Sequence, residues 1–382
     1  MSSSPIKVLT LGRFYPPSHG GIERHIDDLL RGIGKNIQVD CIVVSDVDVP
    51  AELTTTLPYH LYTVRPITTI ASTPICPSLP YLVHKLQKEN NYDIVHLHFP
   101  NPMAHLASYV LPSHVKQVIT WHSDIVKQKT LLKFYQPFLK HILQRADAVV
   151  AATPKHFSSS QQLKNWGRSE NFAVVPFGID AKTFSASANQ ADVLAIKSKY
   201  PEKKIIFAIG RHVYYKGFEY LIRAMSGIQD AILLLGGTGP LTTELKELTH
   251  SLQLENKVIF QGRITDEQLA AYYQAADIFC MPSVEPSEAF GLVQLEAMAC
   301  QKPIVCCELN NGVTFVNKHE ETGLVVPPRD TQALTQALNK LLQNDELRKS
   351  LGNNGYHRAI TEFSQEKMWN ETLNLYRKLL NK

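Results

Sequence analysis

Residues 276–300 read ADIFCMPSVEPSEAFGLVQLEAMAC. The opening ADIFCMPS is a short apolar run of the kind that forms a buried strand. VEPSEA, broken by proline, makes a loop at the strand's carboxyl end. From near Phe290, FGLVQLEAMAC has the character of a helix. Strand, loop and helix in that order are one step of a parallel α/β sheet. Two carboxylates mark the step: Glu288 stands just before the helix and Glu296 more than a turn inside it. An interior carboxylate is costly unless something pairs with it. In open α/β sheets, ligands bind beyond the carboxyl ends of the strands, the side on which Glu288 falls. The amides around Gly291, Leu292 and Val293 would form a helix N-terminus suited to a phosphate. Glu296 could then accept hydrogen bonds from two ribose hydroxyls, and Glu288 from hydroxyls of a sugar near its anomeric carbon. The spacing fits a nucleotide-sugar lying along the helix end. A solvated surface helix with two acidic residues would show the same spacing.

The same step recurs outward in both directions. IKVLTLGRF leads through YPPSHGG into the helical IERHIDDLLRGIG. VDCIVVS, YDIVHLHF, KQVITWHS, ADAVVAAT and NFAVVPFG follow as further short strands. A polar stretch near 181–203 breaks the pattern. It restarts with KIIFAIGR, DAILLLGG, NKVIFQGR, ADIFCMPS, KPIVCCEL and TGLVVPP. A chain of 382 residues exceeds what one core usually supports. The expectation is two doubly wound α/β domains facing across a cleft. Their divisions are an N-terminal domain over 1–180, a hinge over 181–203, a C-terminal domain over 204–362 and a closing helix over 363–382. The amphipathic EKMWNETLNLYRKLL makes that helix, which is expected to cross back to the N-terminal domain.

Charge is unevenly spread. Residues 1–180 hold 17 Lys and Arg against 13 Asp and Glu, and residues 181–382 hold 22 against 22. The whole excess of +4 therefore lies in the front half, which points to an anionic partner there. This modest charge, without a basic stripe carrying aromatic platforms, argues against a nucleic-acid binder. Cys41, Cys76, Cys280, Cys300, Cys306 and Cys307 form no CxxC and sit in apolar contexts, so reduced, buried thiols in a cytoplasmic protein are expected. No apolar run reaches the roughly 18 residues of a membrane span, and the amino-terminal MSSSPIKVLTLGRF lacks a signal peptide's apolar stretch.

Other strand ends carry candidate ligand groups. GRHVYYKG places Arg211 and Lys216 on one strand-to-helix turn, a pair suited to a diphosphate: the guanidinium can bind oxygens bidentately, and the ammonium adds a mobile point charge. Gly237 and Gly239 in LLLGGTGPL permit close approach of backbone to a ligand, although the turn lacks a dinucleotide fingerprint and could be a plain turn. Gly20 and Gly21 precede the first helix, where exposed amides could hold an anion or simply make a sharp turn. His122 and Asp124 follow another strand. His122 could bond a substrate hydroxyl or stabilise developing charge, or could be structural like most of the fifteen histidines. Asp46-Val47-Asp48 resembles a metal-binding DxD but lies early in the chain without supporting carboxylates, and is taken as chance. No metal and no other cofactor is expected.

With these residues in place, the chain resembles the family 4 retaining glycosyltransferases of GT-B fold, of the type that builds bacterial surface polysaccharides. The resemblance spans nearly the whole chain. It rests on GG at 20–21, HSD at 122–124, VVPFGID at 174–180, GRHVYYKG at 210–217, FQGRI at 260–264, EAFGLVQLEAMA at 288–299 and TGLVVPP at 322–328. It implies that Arg211 and Lys216 hold the donor diphosphate, that Glu288 contacts the transferred sugar, and that Glu296 binds the ribose. Backbone near Arg263 would border the base, Gly20 and Gly21 would close over the phosphates, and His122 would reach the donor sugar; Gly237 is kept as a donor contact on its glycine-rich turn alone. Ala289, Phe290, Gly291 and Leu292 complete the donor contacts. Ala289 replaces the Ser or Cys of many members, and MAC replaces a commoner ending with glycine; neither change removes a functional group used here.

The resemblance further implies that anomeric configuration is kept. The acceptor hydroxyl attacks from the face the diphosphate leaves, and a diphosphate oxygen takes its proton. Catalysis is then mainly electrostatic, unlike glycosidases with carboxylates on both sides of the bond. The front domain should hold the acceptor. DIVKQKTLLKFYQPFLKHILQR carries Lys127, Lys129, Lys133, Lys140 and Arg145 with no acid after Asp124, and Leu131, Phe134, Tyr135, Phe138 and Ile142 at helical spacing around Pro137. Such a helix suits an anionic membrane surface, or packs on the sheet as an ordinary amphipathic helix. The expected enzyme is a cytoplasmic hexosyltransferase, peripheral on the inner face of the plasma membrane. It would use GDP-mannose, or a UDP-hexose in second place, and extend a lipid-linked oligosaccharide in lipopolysaccharide-type synthesis. A GT-B phosphorylase, a nucleotide-sugar epimerase and a non-catalytic nucleotide-sugar-binding subunit are the alternatives. An epimerase needs acid–base residues on both sides of one carbon, which are not evident, and a non-catalytic subunit should have lost Glu288 or Lys216.

Overall fold

The structure, a computed structural model, describes residues 5–14, 20–47, 55–70, 73–125, 129–163, 166 and 171–381. The chain divides into two compact units: Met1–Phe177 together with Gln365–Lys382, and Gly178–Ser364.

The strands of the first unit are β1 (Lys7–Phe14), β2 (Gln38–Val44), β3 (His60–Val64), β4 (Thr68–Ile70), β5 (Thr73–Ile75), β6 (Ile94–Phe99), β7 (Lys116–Trp121), β8 (Ala148–Ala151) and β9 (Phe172–Val174). Seven of them make a parallel sheet in the order β3-β2-β1-β6-β7-β8-β9, and β4 and β5 pair separately as an antiparallel hairpin. The chain winds outward from β1 to β3, returns to place β6 beside β1, and winds the other way. Side chains alternate between the faces. Leu9, Val95 and Ile119 enter one core, while Val8, Ile94 and Val118 enter the other. Both faces are covered, so these central strands read as nearly continuous apolar runs.

The second core is completed from the far end of the chain. The helix Gln365–Leu380 lies on the helix Gly21–Ile33, with Met368, Leu373 and Tyr376 buried among first-unit residues. Trp369 Nε1 donates to the carbonyl of Asp28 at 2.9 Å. Tyr376 and Thr120 each hydrogen-bond one ring nitrogen of His96, both at 2.7 Å, which satisfies a histidine otherwise sealed in the core.

The second unit contains β10 (Lys204–Ile209), β11 (Ala231–Gly236), β12 (Val258–Gly262), β13 (Ile278–Met281), β14 (Ile304–Cys307) and β15 (Gly323–Val326). They form one parallel sheet in the order β12-β11-β10-β13-β14-β15, with the reversal of winding between β10 and β13.

The expected hinge at 181–203 is corrected. Its residues form the helices Ala181–Ala186 and Gln190–Ser198, capped by the Asp180 and Asn189 side chains. Val193 and Ile196 bury on the second unit, and the two helices pack on Leu292–Ala299 and Asp266–Ala275. The polar composition misled because short capped helices carry most of their polar residues outward while two apolar positions suffice to dock them. Pro137 lies inside the single helix Lys129–Arg145. All six cysteines are buried free thiols; burial pushes Cys41, Cys300, Cys306 and Cys307 up to about 12. Among the described residues no helix is long and apolar enough to cross a membrane.

Candidate active site

The switch point of the second sheet brings together the loops after β10 and β13. Lys216 lies on the first and Glu288 on the second, and Lys216 Nζ is 2.5 Å from Glu288 Oε2. Ser283, two residues past β13, donates its hydroxyl to the same oxygen at 3.0 Å. Both ionic side chains are only 12% exposed, so the pair is weakly screened. Burial works against the Lys216 charge, but Glu288 and Tyr215 outweigh it and raise the ammonium above its ordinary value. Glu288 Oε1 has no partner among the described residues. The carboxylate is thus held on one oxygen and open on the other. Asn311 fixes the loop beneath by donating to the Glu288 carbonyl at 2.6 Å. Arg211 is exposed and makes no ion pair among the described residues.

The glycine after Lys216 is what allows this meeting. Gly217 has φ +65, and a Cβ there would lie 2.1 Å from the Pro282 carbonyl oxygen. The β10 loop therefore rests directly on the β13 loop, an approach tied by Val284 N–H donating to the Tyr215 carbonyl at 2.8 Å. Beside it, Gly237 receives the Gly262 carbonyl on its N–H at 2.7 Å, and His212 N–H reaches the Thr238 carbonyl at 3.1 Å. These bonds join the turns that carry Arg211, Gly237 and Arg263 into one rim; Arg263 itself is exposed.

The helix after Glu288 spans Leu292–Ala299, starting two residues later than the sequence suggests. Gly291 occupies its N-cap at φ +76, outside the helical region, with Met281 packed where a Cβ would go. No side chain caps this end, so its first amides remain available to an anion. Phe290 is buried against Phe363, leaving only its backbone for a ligand, whereas Ala289 and Leu292 are partly exposed. Glu296 is deeper than a ribose-reading side chain on an open face would be: it is 4% exposed, and Tyr273 donates to its Oε2 at 2.8 Å. The same hydroxyl touches the Val293 carbonyl at 3.1 Å.

In the first unit, Gly20 is the N-cap of Gly21–Ile33, and both glycines are exposed. A carboxylate already stands there. A Cβ on Gly20 would lie 2.2 Å from Glu23 Oε2, and Glu23 pairs with Arg13 at 3.5 Å. Burial raises the Glu23 carboxyl above its usual range despite Arg13. His122, just past β7, is buried beside His98 of β6 and His25 of the first helix. Burial, reinforced by His25, His96, His156 and Arg13, holds its imidazole well below the usual range, so it is neutral. The ligand atoms of His25, His98 and His122 lie within 4.8 Å of one another. The group includes no carboxylate. Asp124 is structural: it accepts from Trp121 Nε1 (3.0 Å), Ser160 Oγ (2.5 Å) and Gln161 N–H (2.9 Å). Asp48 of the DxD-like triplet and Lys127 lie outside the described residues.

Ser283, Tyr273, Asn311 and His98 were not singled out in the sequence. Ser283 had a local signal, its place at the end of a strand; the others acquire meaning only through partners distant in the chain.

Two parallel sheets, each with a switch point, and cationic and carboxylate groups meeting at one of them, define a GT-B glycosyltransferase. The fold matches that of sucrose-phosphate synthase from Thermosynechococcus elongatus with a TM-score of 0.80 and 25% identity, covering 98% of this chain and 99% of that one. Residues 19–183 match Glycosyltransferase Family 4 and residues 190–358 match Glycosyl transferases group 1. The O-antigen chain mannosyltransferase C of Escherichia coli is 33% identical over 371 residues, 96% of each chain. The D-rhamnosyltransferase WbpZ of Pseudomonas aeruginosa is 35% identical over 262 residues, 69% of this chain and 67% of its own. This chain belongs to the family 4 glycosyltransferases.

Proposed function

We propose that the protein is a retaining, metal-independent hexosyltransferase of cell-surface polysaccharide assembly. It transfers a sugar from a nucleotide-sugar, GDP-mannose in first place and a UDP-hexose in second, to a hydroxyl of a lipid-linked glycan. The observation that carries this reading is the Lys216–Glu288–Ser283 arrangement, with one Glu288 oxygen left open beside an uncapped helix end. Mannose is favoured because a relative matched along almost its whole length is named a mannosyltransferase.

In this reading the diphosphate is held by Arg211, Lys216 and the amides at Gly291 and Leu292. These groups stabilise the leaving charge without reorganising, as fixed dipoles and cations do best at low exposure. Lys216 supplies positive charge where a divalent cation would otherwise be needed. Glu288 accepts from the sugar through Oε1, His122 bonds a sugar hydroxyl, and Glu296 meets the ribose. Gly20, Gly21, Gly237 and Arg263 contribute backbone to the donor.

The acceptor lipid gives a reason for the surface of Lys129–Arg145. Leu131, Phe134 and Phe138 are exposed there, Phe134 by 75%, among exposed Lys133 and Lys140. Tyr109, itself exposed, stacks on His141 of this helix at 4.9 Å and extends the apolar face. Apolar side chains among lysines suit the interface of an anionic leaflet, and we assign the protein to the inner face of the plasma membrane on that basis.

Thermal stabilisation by GDP, UDP and ADP, each with and without EDTA, tests the core of the proposal. A nucleotide at 100 times its Kd adds about 2.7 kcal/mol. A shift with one nucleotide, unchanged by EDTA, names the donor class. No shift with any of the three defeats the reading.

A further inference from the structure

His98 Nδ1 and His122 Nε2 lie 3.0 Å apart and share one proton. The rings are stacked, with centroids 5.3 Å apart and planes inclined by 24°. The two remaining nitrogens differ. His98 Nε2 is sealed from solvent and has no partner. His122 Nδ1 has no partner among the described residues either, yet it is not one of the sealed unpartnered atoms.

This asymmetry selects a tautomer. Burial holds both imidazoles well below their usual range, so each ring carries one proton. If the shared proton belonged to His122 Nε2, the proton of His98 would sit on Nε2, a sealed N–H with no acceptor. If it belongs to His98 Nδ1, the sealed atom is a lone pair, and His122 carries its own proton on Nδ1, where a ligand oxygen can accept it. Orphaned buried N–H groups are rarer than under-satisfied acceptors.

We propose that His98 is a positioning residue: by donating from Nδ1 to His122 Nε2 it fixes the ring and tautomer of His122 and makes His122 a hydrogen-bond donor to the sugar rather than a base. The catalytic part of this inference rests on the reading of His122 as a sugar contact. The orientation logic is that of a base held by a third group, here used to present a proton instead of a lone pair. No proton leaves the acceptor by way of His122.

The test is the protonation site of His122 in protein labelled with 15N-histidine, its signals assigned by their loss in His122→Gln. Two-bond 15N–1H correlations should show the proton on Nδ1 in the wild type. His98→Asn places an amide donor near the same position and should keep that tautomer, with kcat/KM within about twofold of wild type. His98→Leu removes the donor and should free the tautomer and lower kcat/KM by about tenfold, the scale of one aligned hydrogen bond. Thermal melts of both variants separate this loss from unfolding. A His122 proton on Nε2 in the wild type overturns the proposal, as does a folded His98→Leu enzyme with unchanged kcat/KM. Unchanged activity in His122→Ala would instead overturn the sugar-contact reading, and the tautomer would then have no catalytic consequence.

Discussion

Lys216 Nζ and Glu288 Oε2, 72 residues apart in the chain, stand 2.5 Å from each other at the switch point of the second sheet. The pair brings opposite charges together before any ligand arrives. A diphosphate that binds Lys216 must share the ammonium with this carboxylate, and a sugar that binds Glu288 must use its free oxygen. In the proposed reading, donor and sugar recognition are coupled through this one ion pair.

Glu288→Gln keeps the shape but removes the charge opposite Lys216. We expect kcat to fall by about a hundredfold, the loss typical of a group that meets developing charge, while nucleoside diphosphate alone binds as tightly as before or tighter, because the ammonium is released. Steady-state kinetics and calorimetric titration with the diphosphate check both halves.

Ser283→Ala leaves the ion pair in place and deletes one hydrogen bond to Glu288. A loss of about three- to tenfold in kcat/KM is expected, consistent with about 1 kcal/mol for such a bond. A fall as large as that of Glu288→Gln would mean that the serine touches substrate itself.

Gly217→Ala should cost about 1–2 kcal/mol or more, since it combines a left-handed backbone with a clash against the Pro282 carbonyl. Because the glycine docks the Lys216 loop, activity should fall by more than the stability change explains. Urea unfolding compared with the kcat/KM of the folded fraction separates the two effects.

The first unit should be acid-labile. Burial lowers His25, His96 and His105 to about 3 and His156 to about 4. An unfolded histidine titrates near 6.5, so between that pH and the folded values the unfolded state binds more protons. This stability is fully present above about pH 6.5 and is lost as pH falls, by about 1.4 kcal/mol per pH unit for each histidine. Urea midpoints at pH 7.5 and pH 5, followed by Trp121 and Trp166 fluorescence, should show a large drop.

Phe134→Glu with Phe138→Glu should abolish flotation with vesicles containing anionic lipid and leave activity on a soluble acceptor unchanged. Wild-type protein that ignores such vesicles would remove the membrane assignment.

Much of the fold was legible because its signals are local. Apolar runs of strand length alternate with helical stretches, and motifs such as GRHVYYKG and EAFGLVQLEAMA sit where strand ends should be. The meeting of Lys216 and Glu288 was not legible, because it depends on β13 pairing beside β10. What stayed hidden was tertiary. Tyr273 looks like any helix aromatic until its hydroxyl is found on Glu296. His98 was one of fifteen histidines, and only the pairing of β6 with β7 sets it against His122. The stretch 181–203 was misread because composition reports solvent exposure and not whether a helix is docked.

The division of the chain has a consequence for its synthesis. The second unit is continuous, Gly178–Ser364, while the first needs Gln365–Lys382 to complete it. On the ribosome the first sheet emerges early, and the core that the helix Gly21–Ile33 builds on one of its faces stays incomplete while the whole second unit is made. A segment made only after the second unit supplies Met368, Leu373 and Tyr376 to that face. A chain truncated before residue 365 would hold a complete second unit and an unfinished first one, a natural substrate for a chaperone that binds exposed apolar surface.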